Sequence, residues 1–233
     1  MILSFEECML KHQQSFHSIV KFDSKNEKLE PFNLSKSNTT LSSSTYNDIS
    51  LFSNYINIQL QNSSAKFGIG GYLELRELYK RSDLFSSSQS TNEPRNLHLG
   101  IDIWGKTNTS IFAFTNSTVH SFADNSQMGD YGATIILQHQ IESFNFYTLY
   151  GHLSLKDIQH LKIGQQIKKG ACFAHFGEPK ENGYWPPHLH FQIILNIKDN
   201  FGDYPGVCTL SNQEKYASNC PNPNLILQLN QFI

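Results

Sequence analysis

The sequence predicts a mainly β protein, an antiparallel β-sheet of barrel-sandwich hybrid type, preceded by an N-terminal α/β or irregular extension. Three observations lead there. From residue 97 onward, short runs of alternating apolar residues recur at 97–104, 111–122, 133–140, 144–153, 171–176 and 188–197, separated by Gly, Asn, Asp and Ser. Evenly spaced short strands of this kind belong to antiparallel sheets and barrels. The composition agrees, with 39% hydrophobic but only 16% charged residues and with 17 Phe and 10 Tyr, which suits pleated surfaces better than charged helices. Gly164, Gly170 and Gly177 are spaced for tight turns between short strands.

Taken in order, residues 1–66 read as an extension, partly flexible, and 67–233 as the main domain. Within the extension, "NLSKSNTTLSSSTYND" (33–48) reads as a loop or linker, because few apolar residues are present to order it. "LFSNYINIQL" (51–60) predicts a short helix or strand that docks on the main domain. "FGIGGYLELRELYKRSDLF" (67–85) reads as a Gly-rich turn followed by a short helix, and "SSSQSTNEPRN" (86–96) as a polar connection.

Composition excludes several partners. The formal net charge is -2, so neither nucleic acid nor anionic lipid would be gripped electrostatically. No stretch is apolar for long enough to span a bilayer. The first twenty residues lack a basic region followed by an unbroken apolar run, so no classical signal peptide is expected and a cytoplasmic location is favoured. The four cysteines form no C-x-x-C pair and fit no zinc-finger spacing, although Cys208 and Cys220 could bridge a short loop in an exported protein.

"NGYWPPHLHFQI" (182–193) carries the chemistry. Read as a strand, it puts His188, His190 and Gln192 on one face and Leu189, Phe191 and Ile193 on the core face. Two residues of rise hold the two histidine Cα atoms roughly 6.6 Å apart, near enough to serve one site. In "NLHLGIDIWG", His98, Gly100, Asp102 and Trp104 share a face, while Leu97, Leu99, Ile101 and Ile103 point to the core. A histidine and a carboxylate thus project together beside an open glycine. Zinc takes imidazole nitrogen and carboxylate oxygen, and a catalytic zinc keeps three protein ligands. His98 and Asp102 supply two, and either His188 or His190 can supply the third. In "FYTLYGHLS", alternation places Phe146, Thr148, Tyr150 and His152 on one face, which brings a further imidazole within reach. His120, His139, His160 and His175 read as ordinary hydrogen-bonded histidines, Tyr150 as packing, and Glu74 with Arg76 as a surface or scaffold pair. Trp185, Pro186 and Pro187 shape the approach to the 188–193 strand.

"HLGID", "YGHLS" and "HLH", in this order, resemble the three signatures of the lysostaphin-type zinc metallopeptidases, which cut peptide cross-links of bacterial peptidoglycan. The resemblance covers roughly residues 67–230 and is most specific in "DYGATIILQH", "FYTLYGHLS" and "ENGYWPPHLHFQI". "GDYPGVC" and "CPNPNLIL" further resemble peptidase-like modules of larger proteins with kinase-like and aminotransferase-like domains, neither of which is found here. The resemblance implies a lysostaphin-type fold, a Zn2+ cofactor and a peptide or peptidoglycan substrate. It implies His98, Asp102 and His190 as metal ligands and His152 and His188 as the pair that handles protons. Relatives of this family are usually exported, which runs against the missing signal peptide. No H-E-x-x-H is present, so a histidine takes the part of the base. The alternatives are a non-hydrolytic zinc-binding scaffold and a histidine phosphocarrier, and the latter needs no ligand carboxylate.

Overall fold

The computed structural model describes residues 3–85 and 93–233. Most of the expected 86–96 connection therefore lies outside the described residues. The centre is an eight-stranded sheet built from β1 (Leu29–Phe32), β2 (Phe67–Gly70), β4 (Ile101–Trp104), β6 (Ser117–Asn125), β7 (Gly132–Ile141), β8 (Phe144–Leu153), β9 (Gln166–Ile167) and β11 (His188–Ile194). Their spatial order is β1-β2-β4-β11-β8-β7-β6-β9. Every neighbouring pair is antiparallel except β1 with β2. Two small sheets flank it: β5 (Ser110–Phe112) pairs with β10 (Cys172–His175), and β3 (Leu97–His98) pairs with β12 (Val207–Cys208). The chain is mainly β, as the alternating runs predict.

Two predicted runs are each split in two. The 97–104 run breaks between β3 and β4, so Ile101 and Ile103 join the main core while Leu97 and Leu99 pack in a separate cluster with Cys208. The 111–122 run breaks at residues 113–116 and feeds two different sheets. The Gly-rich stretch at 67–70 is a strand of the main sheet rather than a turn. Its glycines answer to neighbours, since a Cβ at Gly68 would come within 2.3 Å of the Phe32 ring.

The helices lie outside the sheet. α1 (Phe5–His12) starts with a capping box between Ser4 and Glu7 and buries Phe5, Cys8 and Met9 in the main core. The 33–48 stretch, expected as a loop, contains α2 (Ser43–Asn47), capped by Ser42, and anchors through buried Leu34 and Tyr46. For 51–60 the helical alternative holds: α3 (Ile49–Ser63) starts at the Asp48 cap, whose carboxylate accepts from Ser50 and Leu51 N–H. Its buried residues Phe52 and Ile56 stand one turn apart, and Phe52 packs on Trp104 and Trp185. α4 (Gln213–Asn219) and α5 (Asn224–Leu227) close the chain. Among the described residues no helix is long and apolar enough to cross a membrane. All four cysteines are free, Cys208 and Cys220 included.

Candidate metal and hydrolytic site

One row of residues runs straight across four strands: Gly70 on β2 pairs with Asp102 on β4, which pairs with His190 on β11, which pairs with Gly151 on β8. Glycines bracket the row, so Asp102 and His190 project into space that other side chains would fill. A Cβ at Gly100 would lie 2.5 Å from His190 Cε1, and one at Gly151 would lie 2.5 Å from the Tyr131 ring. His98 reaches the same point from β3, beyond the break in the strand.

His98 Nε2, Asp102 Oδ1 and His190 Nδ1 face one another. The separations are 3.0 Å between the two nitrogens and 3.2 Å from each nitrogen to the oxygen. Each of the three groups is tied back by its other polar atom. His98 Nδ1 lies 2.8 Å from the Gly71 carbonyl oxygen, and His190 Nε2 lies 3.0 Å from Gln192 Oε1. Both partners are acceptors, so the protons sit on the outward nitrogens and both inward nitrogens present lone pairs. Asp102 Oδ2 accepts from Arg76 Nη1 at 2.5 Å. Two lone pairs and one carboxylate oxygen therefore converge without a proton between them, and all three residues are buried. Three mutually facing acceptors repel unless a cation lies among them, and the donor set with its outer partners fits a divalent metal ion such as zinc.

Burial pushes the Asp102 pKa up, but His98 and Arg76 outweigh it and hold the carboxyl well below its usual range. Burial lowers the His98 pKa, and the Arg76 guanidinium lowers it further. Arg76 and Glu74 do form a pair, at 2.7 Å, but the surface reading is overturned: Arg76 is only 2% exposed and serves Asp102.

His188 and His152 stand beside the triad. His188 lies one row from His190, its ring stacked on Trp104 at 3.9 Å, and its Nδ1 donates to the Pro186 carbonyl at 2.8 Å. His152 reaches the site only because β8 bulges. The register against β7 shifts between Ala133 and Ile135, and His152 takes a left-handed backbone with φ of 63°. Simple alternation put His152 on the face of Phe146 and Tyr150, yet that face is the apolar core, where Tyr150 packs on Phe191. The bulge turns His152 to the opposite side, and its Nδ1 donates to the Asn182 carbonyl at 2.8 Å. The ring centroids of His152 and His188 are 4.1 Å apart. Burial pushes the His188 pKa down to about 4 and the His152 pKa well below its ordinary value, the latter further lowered by His188.

All five predicted residues thus meet in one cavity wall or directly behind it. The other histidines do not join them: His139 bonds Thr148, His175 pairs with Asp157, His120 bonds Ser121, and His160 is exposed. Sequence reasoning missed Tyr131, whose hydroxyl lies 3.4 Å from His190 Nε2, and gave Gln192 no task although it shares the His190 face. It also missed Asn182, whose carbonyl orients His152.

Residues 96–200 match the model of Peptidase family M23. That segment holds all five site residues, and the match supports a metallopeptidase, a hydrolase of peptide bonds. None of the curated proteins matches the chain. Among solved structures, the chain is similar to a zinc containing peptidase from Vibrio cholerae, with 22% identity, a TM-score of 0.36, and coverage of 50% of this chain and 34% of that one. The chain thus spans about a third of that protein's length. It is also similar to the catalytic domain of the antimicrobial peptidase lysostaphin from Staphylococcus simulans, with 22% identity, a TM-score of 0.37, and coverage of 52% of this chain and 80% of that one.

Proposed function

We propose that the protein is a zinc-dependent metallopeptidase whose ion is held by His98, Asp102 and His190. The substrate class is peptide, in peptidoglycan cross-links or stem peptides. The single observation that supports this reading is the convergence of three buried acceptors whose outer atoms are all occupied. When bound there, zinc supplies Lewis acidity to the scissile carbonyl and to an attacking water.

The rest of the chemistry falls to His152 and His188. Both hold their Nδ1 protons on backbone carbonyls, so each turns a basic Nε2 toward the cavity. With pKa values pushed down by burial, both rings are neutral near pH 7, the protonation state a general base needs. At 4.1 Å between rings, like-charge repulsion permits one proton on the pair rather than two. The protonated ring becomes the hydrogen-bond donor to the developing oxyanion and then the acid for the leaving amine. Stacking on Trp104 fixes the plane of His188 throughout.

Metal content of the purified protein, with Asp102→Ala beside it, tests the reading by elemental analysis. About one zinc per chain in the wild type and none in the variant is the expected result. A wild type that takes up no zinc overturns it.

A further inference from the structure

A second cluster with nucleophile chemistry lies on β10, and none of its three members lines the cavity of the metal site. Cys172 and His175 are three residues apart on this strand, so strict alternation would send them to opposite faces. The strand instead bulges at Phe173: Cys172 pairs with Phe112, and Ala174 pairs with the adjacent Ile111. Phe173 and Ala174 both turn inward, the former against Tyr150 and the latter into the main core. Cys172 and His175 therefore emerge together on the outer side, with Cys172 exposed and His175 Nε2 3.7 Å from its Sγ. Asp157, in the short helical turn after β8, holds the histidine twice. His175 Nδ1 lies 3.0 Å from Asp157 Oδ1, and Asp157 Oδ2 accepts from the His175 backbone N–H at 2.6 Å. The carboxylate is an acceptor, so the ring proton sits on Nδ1 and the lone pair of Nε2 faces the sulfur.

We propose that Cys172, with His175 as its base, is a modification site that takes low-molecular-weight disulfides by thiol–disulfide exchange. A nucleophile beside a base whose far nitrogen is fixed by a third group is the arrangement that activates a thiol. In the exchange, the Sγ proton passes to His175 Nε2 and the sulfur attacks one sulfur of the incoming disulfide. The S–S bond of that reagent breaks as the bond to Cys172 forms, and the departing thiolate takes the proton from His175. Cys172 is oxidised and the departing half of the reagent is reduced, so no further oxidant enters. Asp157 stays ionised and keeps the ring in one tautomer. The other three thiols are set against such chemistry. Cys8, Cys208 and Cys220 are buried, and burial pushes the Cys208 thiol up to about 11 and the Cys220 thiol up to about 12. The proposal is independent of the peptidase reading, because neither the metal ligands nor the His152–His188 pair takes part.

The test treats the reduced full chain with glutathione disulfide at pH 7 and follows the reaction by mass spectrometry, with peptide mapping to locate the product. One glutathionyl group on Cys172 is the expected result, and Cys172→Ser should take none. His175→Ala should react about tenfold more slowly than the wild type. Added imidazole should restore much of that loss, which a purely structural role of His175 would not allow. Should His175→Ala fail to fold, His175→Gln keeps a polar side chain without a base and is expected to slow the exchange equally. A rate unchanged in either variant overturns the site. So does a loss that imidazole leaves uncorrected, and so does glutathionylation of another cysteine in place of Cys172.

Discussion

On one face of β4, β11 and β8 stand Ile101, Ile103, Leu189, Phe191, Ile193 and Tyr150, and on the other stand Asp102, His188, His190 and Gln192. Both faces are buried. The first is sealed by the hydrophobic effect, and its residues can be exchanged for others of similar volume at modest cost. The second is sealed by segments from elsewhere: α3 beneath Trp104 and Trp185, the 71–79 segment that carries Arg76, and the 204–207 segment beside the cavity. Its polar atoms survive burial only because nearly every one has a named partner. The same strands thus carry a tolerant face and an intolerant one.

Removing a charge from the intolerant face should have the largest effect. Asp102→Ala leaves Arg76 buried with Glu74 alone, and the expected loss is about 3–5 kcal/mol of stability together with the metal. Denaturant unfolding and elemental analysis read the two losses separately. Phe191→Ala on the opposite face should cost a similar ~3–5 kcal/mol by leaving a cavity, yet retain about one zinc per folded chain. If Phe191→Ala released the metal as Asp102→Ala does, the two faces would not be energetically separate.

A finer division runs within the polar face. His188→Ala should keep zinc while kcat/KM for a cleavable peptide falls about 10²–10⁴-fold, whereas His190→Ala should lose the zinc. Zinc-free His188→Ala beside zinc-loaded His190→Ala would reverse the roles.

The smallest expected effect comes from the tolerant face, where His139 is buried against Phe114 and Phe146 and its pKa is pushed down by burial to about 3. The unfolded chain binds a proton at this residue near pH 6.5 and the folded one does not, so the stability it contributes is complete above that pH. It is lost at about 1.4 kcal/mol per pH unit as pH falls toward 3. Urea unfolding at pH 7, 6 and 5 should show a shallower decline for His139→Leu than for the wild type, by that one proton. An unchanged slope would mean that His139 is protonated in the folded protein.

What the sequence by itself determined follows from local periodicity. The alternation in 133–140, 144–153 and 188–197 marked β7, β8 and β11, because side chains on a strand must alternate whatever covers them. The same alternation separated Leu189, Phe191 and Ile193 from His188 and His190, and the pairing of a histidine with a carboxylate in "HLGID" marked chemistry of a metal-ligand kind. Tertiary structure alone decided the rest. Tyr150 went to the core and His152 to the site because one bulge inverted the alternation at the end of β8, and a left-handed φ at a histidine leaves no trace in the residue pattern. The strand positions 68 and 70 are glycine because Phe32 and Arg76, 36 and 6 residues away along the chain, lie where their side chains would be. Arg76 became a buried partner of Asp102 because distant segments close over it, and burial is a property of what covers a residue rather than of the residue itself.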